Sequence, residues 1–245
     1  MKKIQVLPLF IAAIIILSFT TAFAFKAKQP KILVFSKTAG FHHNSIAAGI
    51  PAIIKLGQEH GFLVDTTTDS TMFTEANLKK YAAVVFLSTT GNVLSDEEQK
   101  AFEHFIESGK GFVGVHAATD TEYDWPWYNK LVGAYFKIHP KQQNAVLNVV
   151  DTTFIATKNL PHVWKRFDEW YNFKDTHWDD VHVLITIDES SYTGGENGSF
   201  HPMSWYHSYD GGRAFYTELG HTDESYSDPL YLGHLLGGIE YAIGK

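Results

Sequence analysis

The chain has 245 residues, with 20 lysines and arginines against 27 aspartates and glutamates, and its formal net charge is −7. This acidic balance argues against nucleic-acid binding, which depends on clustered basic side chains. The chain contains no cysteine, which excludes disulfides, lipidation at cysteine and a cysteine nucleophile. Its length suits one domain with a sizeable hydrophobic core.

The N-terminal segment has the pattern of a signal peptide. Lys2 and Lys3 precede an uncharged, mostly apolar run over residues 4–25, and Ala22-Phe23-Ala24 lies near its end. Small residues with this spacing are typical of a signal-peptidase site. We therefore expect residues 1–24 to be a signal peptide, residues 25–245 to form the mature domain, and the protein to be exported to the periplasm or secreted. An uncleaved membrane anchor is the alternative, because the run is nearly long enough to cross a bilayer.

Four short apolar runs in the first half predict a parallel sheet. They lie at residues 31–35, 62–64, 82–87 and 111–116. A helix is predicted to begin at Asn44 or Ser45, and a second begins at Ser95, where a serine followed by acidic residues suits a helix start. Apolar strands that alternate with helices are typical of a parallel sheet covered on both faces.

The second half of the chain predicts further strands and a final helix. The strands are expected at residues 145–150, 181–187 and 213–217, and the helix at residues 230–243. No internal repeat or linker separates the two halves. The sequence therefore predicts a single α/β domain.

Polar segments follow the predicted parallel strands, at the edge where open α/β sheets bind their ligands. His42 and His43 follow the first strand, and His116 ends the fourth, with Asp120 shortly after it. The segment Gly-Val-His-Ala-Ala at 114–118 is similar to a nucleophile elbow with histidine in the place of the nucleophile, and the chain has no Gly-x-Ser-x-Gly motif. His116 suits a general acid, a general base or a metal ligand. The alternative is a histidine that only caps the strand end by hydrogen bonding.

Several motifs in order resemble the ThuA-like (trehalose utilisation) family. They are Gly-Phe-His-His at 40–43, Gly-Val-His-Ala-Ala-Thr-Asp-Thr at 114–121, Asp-Glu-Trp-Tyr at 168–171, His-Pro-Met-Ser-Trp at 201–205 and the segment 212–222. The resemblance implies an α/β, flavodoxin-like fold of the class I glutamine amidotransferase-like type, with a mostly parallel sheet, helices on both faces and no catalytic cysteine. It also implies a role in disaccharide or glycoside metabolism, including that of 3-keto sugars. One departure is that residues 154–157 lack the His-Pro pair often found there in the family.

The resemblance and the strand-end positions together give the candidate site residues. We expect His116 and His221 to transfer protons, the latter by analogy with amidotransferases that carry their catalytic histidine after a late strand. Glu169 would supply a carboxylate as acid, base or ligand; a surface carboxylate or a partner for Arg213 is the alternative. The expected substrate-binding residues are His42, His43, Asp120, His139, Tyr171, Trp205 and Arg213. For the aromatic residues ordinary packing is the alternative, for His139 a loop-fixing role, and one of His42 and His43 is expected to face solvent.

A divalent metal such as zinc is the cofactor that these residue types would suit. The candidate ligands are His42, His116 and His221, with Glu169 as a carboxylate ligand, although the chain has no compact zinc motif. Three functions follow: a sugar-modifying enzyme that uses proton transfer, a non-catalytic carbohydrate-binding protein, and a metal-dependent hydrolase. The expected partner is a small-molecule sugar, without nucleic acid, and with membrane contact only through an uncleaved N-terminal segment.

Overall fold

The computed structural model describes Lys2 and residues 29–245, so the predicted signal peptide lies, apart from Lys2, outside the described residues. In the described part, the strands are β1 (Lys31–Phe35), β2 (Leu63–Thr67), β3 (Ala83–Leu87), β4 (Gly111–Val115), β5 (Tyr135–Ile138), β6 (Gln143–Val149), β7 (Val163–Asp168), β8 (Asn172–Lys174), β9 (His182–Asp188), β10 (Pro202–Tyr209) and β11 (Gly212–Thr217). The α-helices there are α1 (Ile46–His60), α2 (Glu75–Leu78), α3 (Asp96–Glu107), α4 (Pro126–Val132) and α5 (Pro229–Ala242).

One nine-stranded mixed sheet organises the domain, in the order β2-β1-β3-β4-β11-β10-β9-β6-β7. The strands from β2 to β11 in this order are parallel to one another. The remaining four strands extend the sheet in antiparallel fashion. Since the parallel part has the strand order of flavodoxin-like proteins, the predicted fold class is confirmed. The strands β5 and β8 form a separate small sheet.

Helices cover both faces of the parallel part, which explains its apolar strands. On one face, Phe86 of β3 stacks on Phe102 of α3 and on Tyr128 of α4. On the other face, Gly238 of α5 packs against Phe215 of β11. Side chains alternate between the faces of a strand, so β3 and β4 need apolar residues at every position, and all ten of their residues are buried.

The two predicted long helices of the first half are present. A capping box at Ser95 and Glu98 begins α3 as the sequence predicted. The side chain of Ser45 does not cap α1; its hydroxyl donates to the carbonyl of Gly220 instead, at 3.1 Å. Among the described residues, no helix combines the length and apolar character needed to cross a membrane.

Candidate functional site

Four side chains converge where the sheet strands end. His43, His116, Glu169 and His221 each bring one potential ligand atom within 4.8 Å of the others. They follow β1, β4, β7 and β11, so both the parallel and the antiparallel parts of the sheet contribute. We call these four residues the histidine cluster. His43, His116 and Glu169 are buried, whereas His221 retains partial exposure.

His116 sits on a sharp turn between β4 and a short 3-10 helix at His116–Asp120. Its φ is +50°, a left-handed conformation that non-glycine residues rarely adopt. The hydroxyl of Tyr216 donates to the carbonyl of His116 at 2.8 Å and so helps to hold this turn. The turn has the strand-turn-helix form of a nucleophile elbow, with a histidine at its tip.

The hydrogen bonding of His116 determines which ring nitrogen is free. Its Nδ1 lies 2.7 Å from the carbonyl oxygen of Glu218, which can only accept, so Nδ1 carries the proton. The lone pair of Nε2 therefore points into the cluster, 3.0 Å from Nδ1 of His221 and 3.5 Å from a carboxylate oxygen of Glu169. A ligating histidine commonly has its other nitrogen fixed by a backbone carbonyl in this way.

Glu169 links the cluster to the mouth of the site. One of its oxygens lies 3.0 Å from Nδ1 of His221, and the other lies 3.1 Å from Nδ1 of His139. Burial by itself raises the pKa of Glu169, but the close contacts of its carboxylate with the imidazoles of His116 and His221 hold that pKa well below its usual range. Glu169 is therefore an ionised carboxylate among imidazoles.

His43 packs with its ring edge-on to His116 and His221, at centroid distances of 4.8 and 5.2 Å. Its Nε2 lies 3.4 Å from the hydroxyl of Tyr171. Its Nδ1 is buried and has no hydrogen-bond partner among the described residues. Burial, together with the neighbouring His116 and His221, lowers the pKa of His43 to about 2. His43 is therefore a neutral imidazole with an unused nitrogen.

A buried carboxylate supports two of the cluster residues. Asp168 accepts hydrogen bonds from the backbone N–H groups of Glu169 and His221, at 3.1 and 3.2 Å. It also accepts one from the backbone of Gly220 at 3.2 Å and pairs with Arg166 at 2.9 Å. Since Asp168 is fully buried, the two segments that carry Glu169 and His221 are tied to one fixed point.

A cavity of about 320 Å³ opens onto the cluster, and we call it the inner pocket. Its wall includes the rings of Phe136 and Tyr171, whose centroids are 4.3 Å apart. Asp120 and His139 also line it. Asp120 accepts a hydrogen bond from the hydroxyl of Tyr123 at 2.6 Å, and burial raises its pKa. The inner pocket thus combines aromatic faces with a few polar groups, as small-molecule sites do.

The structure brings most of the predicted site residues together. His116, His221 and Glu169 form one cluster, and His43, Asp120, His139 and Tyr171 line the inner pocket. His42 is exposed and its Nδ1 lies 3.2 Å from the hydroxyl of Thr38, so its neighbour His43 occupies the position expected for His42 as a ligand.

Two predicted substrate-binding residues lie elsewhere. Trp205 is buried in the core, where its indole N–H donates to the carbonyl of Val132 at 2.9 Å. Arg213 is the second residue of β11 and lies at the opposite end of this strand from His221; its guanidinium donates to carbonyls at the end of α5. Neither side chain lines the inner pocket, and both donate instead to backbone carbonyls of other elements.

Sequence reasoning missed three residues that line the inner pocket, namely Phe41, Phe136 and Gln142. Gln142 places its amide 2.7 Å from Nε2 of His221, and Phe136 forms part of the pocket wall. The amide of Gln142 can face His221 with its oxygen or its nitrogen, so it accommodates either tautomer of that ring. The sequence signal that could have identified Gln142 is its position three residues after the candidate His139.

The donor set of the cluster fits a divalent metal ion. It consists of three imidazoles and one carboxylate, which are ligand types that zinc uses. The inward lone pair of His116 Nε2 is one that a cation would satisfy, and His43 adds a buried imidazole whose Nδ1 has no hydrogen-bond partner among the described residues. His43, His116, His221 and Glu169 are therefore the residues that would hold such an ion.

The sheet order defines a flavodoxin-like α/β protein, and a histidine stands at the tip of the turn after β4. Residues 31–242 match the model of the ThuA family, described as trehalose utilisation. The chain belongs to this family. No curated protein matches the sequence.

Solved structures of similar proteins agree with the family. A ThuA-like protein from Bacteroides uniformis ATCC 8492 is 26% identical, with a TM-score of 0.78, over 93% of this chain and 96% of that one. A ThuA-like protein from Parabacteroides merdae ATCC 43184 is 22% identical, with a TM-score of 0.73, over 89% and 91% of the two chains. A β-galactosidase from Rahnella sp. R3 shares the fold alone, at 13% identity and a TM-score of 0.58 over 87% of this chain and 31% of that one.

Proposed function

We propose that this ThuA-family chain is an exported, metal-dependent enzyme that acts on a glycoside or an oxidised sugar. The observation that carries the proposal is the convergence of His43, His116, Glu169 and His221, whose ligand atoms lie within 4.8 Å of one another. A bound divalent ion would polarise a sugar oxygen or lower the pKa of a bound water. Export rests on the N-terminal sequence pattern alone.

The arrangement favours ligation over direct proton transfer by His116 and His221. The free nitrogen of His116 faces the ring of His221 at 3.0 Å rather than the open part of the inner pocket. A proton-transfer pair also gives no role to His43, whose ring abuts both. A shared ion accounts for all four side chains at once.

The inner pocket contains groups that would bind and orient a sugar. The faces of Phe136 and Tyr171 suit the apolar C–H surface of a pyranose ring. Asp120 and His139 line the same cavity and can form hydrogen bonds to hydroxyl groups. Family membership in trehalose utilisation supports a sugar as the ligand.

Metal content and turnover test the proposal together. The protein is purified without chelators, its bound metals are quantified by mass spectrometry, and turnover is measured on a panel of glycosides and 3-keto glycosides. We expect a stoichiometric divalent metal, loss of turnover after removal of the metal with dipicolinate, and recovery when zinc is returned. Glu169→Gln should lose both metal and turnover, because it removes the carboxylate while preserving the shape.

A surface histidine provides the matched control. His104 lies on α3 with its Nδ1 2.7 Å from a carboxylate oxygen of Glu75, and both side chains are largely exposed. His104→Ala should keep metal and turnover, because that pair lies outside the cluster. If the metal-free protein kept its full turnover, the proposed metal dependence would be wrong, and proton transfer by His116 and His221 would be favoured. Sugar binding without turnover, unaffected by Glu169→Gln, would indicate a non-catalytic carbohydrate-binding protein.

A further inference from the structure

A second concavity adjoins the inner pocket on the side of His221. It has a volume of about 480 Å³, and we call it the outer groove. Phe41, Gln142 and His221 line both cavities. The two cavities therefore adjoin at these three side chains.

Exposed aromatic rings mark the outer groove. Phe41 is 66% exposed and Phe167, on the edge strand β7, is 49% exposed. Large apolar side chains at a concave surface are typical of a binding site. The remaining lining is polar and includes Asn44, Asp223 and Glu224. Aromatic faces beside amide and carboxylate groups match a sugar ring, which has an apolar C–H surface and a rim of hydroxyl donors.

The charge of the outer groove restricts that ring. The groove carries the carboxylates of Asp223 and Glu224, and none of the described residues that line it is a lysine or an arginine. A phosphate or carboxylate on the ring in the groove would lack the basic side chain that recognises such groups and would face repulsion from Asp223 and Glu224.

We propose that the outer groove is the subsite for a second, uncharged sugar ring. The ligand is then an unphosphorylated glycoside of at least two rings, with one ring in the inner pocket and the next between Phe41 and Phe167. This inference rests on the proposed function, because it assumes that a sugar occupies the inner pocket. Phe167 is the specificity residue of the subsite, since it lines the outer groove and not the inner pocket.

Matched ligands and matched variants test the subsite. Binding to the zinc-loaded protein is measured by calorimetry for pairs that differ by one ring: trehalose against methyl α-glucoside, and lactose against methyl β-galactoside. In the unmodified protein we expect the two-ring member of at least one pair to bind about tenfold more tightly. Phe167→Ala should remove this preference without changing the affinity for the one-ring member. Val163→Ala is the control, because Val163 is similarly exposed, at 54%, on the same strand and lies outside the groove lining.

A separate comparison tests whether the sugar ring in the outer groove is uncharged. Trehalose 6-phosphate should bind at least tenfold more weakly than trehalose, and Glu224→Gln should narrow that difference. Equal affinity for the phosphorylated sugar overturns the claim of an uncharged ring.

Each remaining outcome has a distinct meaning. Equal binding of one-ring and two-ring sugars, or a preference that survives Phe167→Ala, overturns the subsite and leaves the proposed function intact. A protein that holds metal but neither binds a sugar of this panel nor turns over any glycoside or 3-keto glycoside overturns both. Metal content is measured for every variant, so that loss of the cluster is distinguished from loss of the subsite.

Discussion

The buried carboxylate of Asp168 accepts a hydrogen bond from the backbone N–H of His221 at 3.2 Å, although the two residues are far apart in the sequence. The same oxygen accepts from the backbone of Glu169 at 3.1 Å. Asp168 thus fixes the relative position of two cluster residues without facing the inner pocket, and its charge is balanced by Arg166. The site depends on this residue through geometry rather than through contact with a ligand.

Asp168→Asn should therefore weaken metal binding. The amide keeps the size of the side chain but loses the charge that holds Arg166 and one of the acceptors for the backbone. We expect zinc affinity to fall about 10- to 100-fold, the usual effect of losing a residue that orients metal ligands. Competition with a chromophoric chelator measures the change, and the absorption spectrum of the cobalt-substituted protein reports any altered ligand geometry.

Asp188→Asn is the control for that prediction. Asp188 accepts hydrogen bonds from Ser190 near the protein surface and caps the short helix at Glu189–Ser191. This variant should keep the zinc affinity of the parent. An unchanged affinity in a folded Asp168→Asn protein would mean that Asp168 does not position the cluster.

A buried histidine away from the cluster should make stability depend on pH. His234 of α5 is fully buried, and burial lowers its pKa to about 4 from an ordinary value of 6.5. Between these values the unfolded chain binds a proton that the folded chain does not, so stability is full above pH 6.5 and falls as the pH approaches 4. The loss from this group amounts to about 3 kcal/mol. His234→Gln should flatten the dependence of the unfolding free energy on pH in that window, as measured with urea. If the unfolding free energies of the two proteins changed equally with pH, His234 would not be the titrating group.

Trp205 should matter for stability rather than for ligand binding. Trp205→Phe leaves the buried carbonyl of Val132 without its donor and opens a small cavity, at a cost of about 2–4 kcal/mol. Trp127→Phe is the matched change, because Trp127 donates its indole N–H to Asp210 at the surface, and we expect a cost below about 1 kcal/mol. Urea denaturation compares the two. Loss of sugar binding in a folded Trp205→Phe protein would mean that Trp205 contributes to the binding site.

Two glycines one turn apart on α5 should respond oppositely to alanine. A Cβ at Gly233 meets no atom within 4 Å, so Gly233→Ala should stabilise the protein by up to about 1 kcal/mol through helix propensity. A Cβ at Gly237 would overlap the backbone of Ala156, so Gly237→Ala should destabilise it by about 1–3 kcal/mol. Thermal unfolding checks both signs. A stabilised Gly237→Ala protein would mean that α5 does not pack this closely on residues 155–156.

The sequence predicted the parts of the fold that a local pattern determines. The strands β1, β3 and β4 are continuous apolar runs because helices cover both faces, and that pattern is visible without a structure. The strand β7 escaped prediction, since Lys165 and Arg166 interrupt its apolar residues at the edge of the sheet. Edge strands tolerate such charges because one side has no neighbouring strand.

The candidate site, like the fold, was predicted only where a local pattern determines it. The predicted strand ends identified His43, His116 and His221, because parallel strands bring their carboxyl ends to one edge of the sheet. The choice between His42 and His43 depends on the rotation of the backbone after β1, which residue types do not encode. Arg213 precedes most of β11 and so lies at the far end of that strand, a placement that strand direction alone could have predicted.

The four cluster residues come from four segments that are distant in sequence, and this has a consequence for the folded chain as a whole. One ion held by all of them would close three long loops, as a set of disulfides does in many exported domains. This chain has no cysteine from which to build such bonds. A metal bound at the cluster would be a reversible cross-link, formed in any redox environment and removed by a chelator rather than by a reductant.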